Sequence, residues 1–255
     1  MSYLNQAEFF FLVVVRAASF FVTAPFFGIR GVPVPVKAGL GVLVAVLIFP
    51  VLPAGQPAFT GAGAYALAVL NEALAGMALG YLAGLFLSAV QVAGQLLDIH
   101  MGLGMATLFD PQNAATTTVM GQFFTILGLL LFFQVDGHHT LLLALQESFR
   151  LLPLGGVHFD GNITWAVVKL FTGMFSLAVR MAVPVIVVIL IADLALSLIA
   201  RTVPQLNVFI LGFPLKIGLG LLALIAVLPL LVTVFRNIFG QMEHDLALLL
   251  RSWPR

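Results

Sequence analysis

The residues of this 255-residue chain that could do chemistry are few and lie far apart: 8% of it is charged and 62% apolar, where soluble domains carry roughly 25% charge. Arg16, Glu72, Asp98, Lys169, Arg180, Asp193 and Lys216 stand in or beside apolar runs and read as buried charges. Each costs about 2.5 to 3.5 kcal/mol if left unpaired at a bilayer centre, so each must face protein, water or another charge. Two uses fit. A small-solute secondary transporter would employ such charges for coupling, and an assembly subunit would use them to fix register against neighbours. Transporters of this kind show two corresponding halves, whereas here the N-terminal part and the C-terminal hairpin differ in hydropathy, which favours assembly and leaves the transporter as the alternative.

Catalytic constellations fail one by one. There is no HExxH, GxSxG, Walker sequence or strand-to-helix GxGxxG, so no enzyme is expected. The absence of cysteine excludes disulfides and thiolate chemistry. His138 and His139 are adjacent, and on a helix they are expected to point apart rather than chelate one metal as an i, i+4 pair would. Neither cofactor nor metal is expected. With 11 Lys and Arg against 10 Asp and Glu, the net charge of +1 offers no field for nucleic acid.

The elements that must position these residues read as helices throughout: an all-α chain of hydrophobic, membrane-associated hairpins. The opening residues have neither a basic region nor a small-residue cleavage site, so the first apolar run, 9–29, is expected to remain in the mature protein. It is long enough to cross about 30 Å of hydrocarbon. The prolines and glycine of 30–37 predict a turn, followed by a second apolar run over 38–52. A long run over 65–97 carries Gly76, Gly80 and Gly84, whose four-residue spacing stacks them on one face for close helix packing. Residues 102–122 read as a polar, flexible loop, with Asp110-Pro111 suited to restarting a helix. Two short runs, 123–135 and 140–152, predict a helical hairpin around the Asp136-Gly-His-His139 turn. Beyond a solvated loop at 154–164, one long helix kinked at Pro184 and a return helix over 217–239 form a second hairpin. Its tip, 201–216, reads as non-helical, and 241–255 is an amphipathic tail.

Several strings together carry a resemblance: Val22-Thr-Ala-Pro-Phe-Phe-Gly28, Thr107-Leu-Phe-Asp-Pro-Gln112, Asp136-Gly-His138 and Pro204-Gln-Leu-Asn-Val-Phe-Ile-Leu-Gly-Phe-Pro-Leu-Lys216. The chain resembles the FliR family of flagellar and type III secretion export-gate proteins. The resemblance implies a non-enzymatic subunit in the bacterial inner membrane, in the flagellar basal body. Its implied partners are FliP, FliQ, FlhB and FlhA homologues, membrane lipid and the unfolded flagellar proteins that pass the gate. It implies a FliP-like part over 1–155, a FliQ-like hairpin over 165–240 and a tail over 241–255. It further implies a channel-closing loop with Met105, Thr107, Leu108, Phe109, Asp110, Pro111, Gln112 and Met120. A cytoplasmic tip bearing Pro204, Gln205, Asn207, Gly212, Pro214 and Lys216 completes the expectation.

Overall fold

A computed structural model of the chain describes residues 3–24, 33–52, 59, 61–104, 118–156, 161–203 and 208–252. Most of those residues are helical, and no strand occurs among them. The helices are α1 (Tyr3–Thr23), α2 (Val34–Ile48) with a short 3-10 turn (Phe49–Val51), α3 (Ala62–Met101), α4 (Val119–Gln134), α5 (Gly137–Leu151), α6 (Gly161–Thr202) and α7 (Val208–Ser252). Five stretches are long and apolar enough to cross a membrane, and α4 with α5 would make a sixth as one broken span.

Three boundaries differ from the sequence reading, each for a local reason. Helix α2 begins at Val34, inside the expected turn, because Pro33 serves as its N-cap residue and Pro35 lies in its first turn, where a missing N–H costs no helical bond. Helix α4 starts at Val119 with Thr118 capping it, the Thr118 side chain accepting a hydrogen bond from the Gly121 N–H. Helix α7 starts at Val208 and accommodates Pro214 and Pro229 internally. Residues 208–216 of the expected non-helical tip are therefore helical. Pro184 lies within α6, which runs through it as one helix.

The chain packs as two compact units, one made of Met1–Phe86, Asp136–Phe171 and Phe239–Arg255 and the other of Leu87–Val135 and Thr172–Ile238. Both are discontinuous in sequence.

In the first unit, α1 buries Leu12, Val13, Arg16, Ala17, Phe20 and Phe21, the stripe expected of a helix packed on one side. Facing it, Gly76 and Gly80 of α3 admit the α1 backbone so closely that a Cβ on Gly76 would strike the Arg16 carbonyl oxygen. A Cβ on Gly80 would lie 2.7 Å from the Phe20 carbonyl oxygen. Gly84, next in the series, is half-buried. Helix α2 approaches α1 in the same way, a Cβ on Gly41 falling 2.5 Å from the Ala18 Cα. Helix α5 buries Leu141, Leu145, Ser148 and Phe149.

Helices α1, α3 and α5 meet at a fully buried cation. Arg16 donates from Nε to a Glu72 carboxylate oxygen at 2.5 Å, and both side chains are 0% exposed. Its Nη1 donates to the Ser148 and Leu152 carbonyl oxygens at 2.9 and 3.2 Å, and its Nη2 to Leu152 at 3.1 Å. Those carbonyls belong to the end of α5, where helical acceptors lack partners and the dipole favours a cation. The guanidinium carbon stands 4.7 Å from the centroid of the Phe149 ring. The other Glu72 oxygen accepts from the Gly155 N–H at 2.9 Å.

In the second unit, α6 buries Ala178, Met181, Ala182, Val185, Ile189 and Ala192 along one stripe, and α7 buries Leu224, Leu231 and Phe235. Their other faces remain open. Of the apolar stretches in α6 and α7, 22% and 17% of residues are buried, against 56% in α3.

Arg16→Met would strand the Glu72 carboxylate and is expected to cost about 3–5 kcal/mol, with Arg16→Met/Glu72→Gln recovering part of the loss; thermal unfolding of the detergent-purified chain measures both. In the same assay Gly76→Ala should cost about 1–3 kcal/mol by overpacking. Gly39→Ala, with nothing within 4 Å of its new Cβ, should be neutral or slightly stabilising.

Candidate functional site

Residues 105–117 lie outside the described part of the chain, and with them Met105, Thr107, Leu108, Phe109, Asp110, Pro111 and Gln112. Both flanks of that segment meet at Asp98. Helix α3 stops at Met101, and Gly102 takes φ +80°, a left-handed conformation suited to glycine just past a helix end. The Gly104 N–H then donates to the backbone carbonyl of Asp98 at 3.4 Å. On the far side, the Asp98 carboxylate accepts from the Met120 and Gly121 N–H groups at 2.9 and 3.1 Å. One residue thus holds both ends of the segment.

Asp98 is 1% exposed, so its charge requires partners, and the first turn of α4 supplies two N–H groups that have no partner within the helix and the positive end of the helix dipole. Thr118 adds its hydroxyl to the same turn. Gly94, one turn before Asp98 on α3, makes room for the arrangement: a Cβ there would lie 2.5 Å from the Met120 carbonyl oxygen and 2.7 Å from the Gly121 Cα. Met120, expected in the closing loop, is instead a buried residue of the first turn of α4. Phe213 of α7 covers Gly102, where a Cβ would meet the ring at 2.7 Å.

The remaining predicted residues are dispersed. Pro204, Gln205 and Asn207 fall outside the described residues. Gly212 is buried near Leu196, Pro214 is exposed, and Lys216 pairs with Asp193 at 2.5 Å between α7 and α6, both partly exposed. Lys169 and Arg180, expected to be buried, are exposed in the chain, because α6 presents most of its surface to no other helix. His138 and His139 do not point apart: their ring centroids are 4.2 Å from each other at an interplanar angle of 35°.

Sequence reasoning did not single out Thr118 as a cap or Phe213 as a cover. The first was legible as the last of three threonines immediately before an apolar run. The second had no local signal, since its role depends on a helix distant in sequence.

The chain matches the family model for bacterial export proteins, family 1, over residues 7–242. It belongs to that family. The flagellar biosynthetic protein FliR of Bacillus subtilis (strain 168) is 38% identical over 234 residues, covering 91% of this chain and 90% of the relative. The FliR of Escherichia coli (strain K12) is 33% identical over 252 residues, covering 99% and 96%. The FliR of Aquifex aeolicus (strain VF5) is 34% identical over 227 residues, covering 88% and 86%. Membership of this export family and the likeness to FliR relatives support a flagellar export role for the chain.

Within the site, Asp98→Leu removes the one carboxylate oxygen that accepts from both N–H groups, leaving Met120 N–H without its acceptor and Gly121 N–H with Thr118 Oγ1 alone, and should destabilise by about 1–3 kcal/mol. Asp98→Asn, which retains an acceptor oxygen, should cost less. Hydrogen exchange of the Met120 and Gly121 amides locates the effect, which should be concentrated there in both variants.

Proposed function

We propose that the chain is a core, non-enzymatic subunit of the flagellar type III export gate in the bacterial inner membrane, and that residues 102–122 help close the channel for unfolded flagellar proteins. The observation that carries this reading is the double hold of Asp98. That hold fixes where the segment leaves α3 and where it enters α4, so its two bases stay together. Its sequence suits closure: Phe109 and Met105 offer apolar bulk, methionine adapts to irregular gaps, and the threonines at 116–118 tolerate water.

In this reading the gate partners are homologues of FliP, FliQ, FlhB and FlhA, with membrane lipid around the assembly. The large uncovered apolar faces of α6 and α7 support lateral partners, since a helix apolar on all sides finds its remaining cover in other helices or in lipid. The tip with Pro204, Gln205, Asn207, Gly212, Pro214 and Lys216 is assigned to the cytoplasmic entrance, and the Lys216 to Asp193 pair gives it a fixed base.

Deleting residues 113–117 shortens the segment while sparing Thr118 and both attachments to Asp98. Cells that assemble the gate with this deletion should show raised small-ion permeability and a faster decay of membrane potential than wild type. Normal assembly with an equally tight membrane would assign closure to another part of the gate.

A further inference from the structure

The Asp136-Gly-His-His139 turn holds a set of groups that the export role does not use. Asp136 is the one described non-glycine residue with positive φ (56°, ψ 29°), in the left-handed region that aspartate tolerates better than most side chains. This conformation points its backbone carbonyl into α5, where it accepts from the His139 and Thr140 N–H groups at 2.9 and 3.3 Å. The backbone therefore starts the helix, and the carboxylate makes no capping hydrogen bond. It lies instead beside the imidazoles, one oxygen 3.5 Å from His139 Nδ1. His138 stacks on His139 with centroids 4.2 Å apart. One ligand atom from each of Asp136, His138 and His139 lies within 4.8 Å of the others.

We propose that Asp136, His138 and His139 form a binding site for a borderline divalent cation, zinc foremost. Two imidazoles and a carboxylate are the donor set such ions prefer, with the ion's remaining positions taken by water. Donors about 2.0–2.1 Å from a tetrahedral ion are roughly 3.3 Å apart, so the present spacing closes by side-chain movements of about an ångström. The exposure of Asp136 and His139, 73% and 66%, leaves them free to make that movement and opens the site to solvent. Binding would tie the Asp136 side chain to the first turn of α5 and stiffen the turn.

The test uses the full chain without an affinity tag, purified in detergent, stripped with a chelator and titrated with Zn2+ alone. Metal content after desalting reads the stoichiometry, calorimetry the affinity, and the visible spectrum of a Co2+-substituted sample the donor set. One zinc per chain is expected, with affinity at least ~10-fold weaker in His138→Gln, His139→Gln and Asp136→Asn. Asn suits the left-handed region, so its loss of affinity reports the missing carboxylate and not a broken turn. Replacing His158 and His244 together should leave binding unchanged. Absence of stoichiometric zinc from the wild-type chain, or equal affinity in the wild type and all three variants, would overturn the proposal.

Discussion

An arginine taken fully out of water must find its counter-charge and hydrogen-bond acceptors within the protein, and the first compact unit is arranged around that requirement at Arg16. The guanidinium reaches Glu72 on α3 and the end of α5, and Glu72 in turn reaches Gly155. Four hydrogen bonds are donated by a single side chain of α1. The rigid fork of arginine suits this, because it can address a carboxylate and two carbonyls at once where an ammonium would act as a point charge. Gly76 belongs to the same arrangement: without a Cβ it lets α3 approach the Arg16 backbone, one turn along from Glu72.

Asp98 solves the converse problem in the second unit. A buried anion there is satisfied by the N-terminal turn of α4, with backbone groups supplying what Arg16 supplies to Glu72. The two sites differ in consequence. The Arg16 pair joins elements that are helical throughout, whereas Asp98 fastens the two ends of a connection and leaves its middle to other tasks. In both, a glycine one turn away on α3, Gly76 or Gly94, gives the space that the polar contact needs. The small residues and the charges of this helix work together.

Much of this was legible in the sequence. Isolated charges in apolar runs demand partners, and glycines at four-residue spacing demand a close neighbour, so Arg16, Glu72, Asp98, Gly76 and Gly80 could be singled out before their partners were known. Helix starts were less legible where proline was read only as a breaker: at Pro33 and Pro35 it opens a helix, and at Pro214 it lies inside one. Burial of Lys169 and Arg180 was misjudged because an apolar sequence is not the same as a covered one. The histidine pair was misjudged because side-chain direction was inferred from adjacency alone, and the two rings nonetheless lie with centroids 4.2 Å apart. Pairings such as Lys216 with Asp193 depend on register between two long helices, which no short window of sequence encodes.

The hold of Asp98 on Gly104 and on the first turn of α4 also imposes a length scale. A strand of chain anchored at one end sweeps a sphere set by its full contour, but one returned to its starting point reaches only half as far. The stretch from Gly104 to Thr118, at ~3.3–3.6 Å per residue when extended, has a half-contour of roughly 25 Å. That radius bounds how far any residue of the connection can stand from its base. How far the connection can extend from α3 and α4 is therefore set by its own length together with a single aspartate.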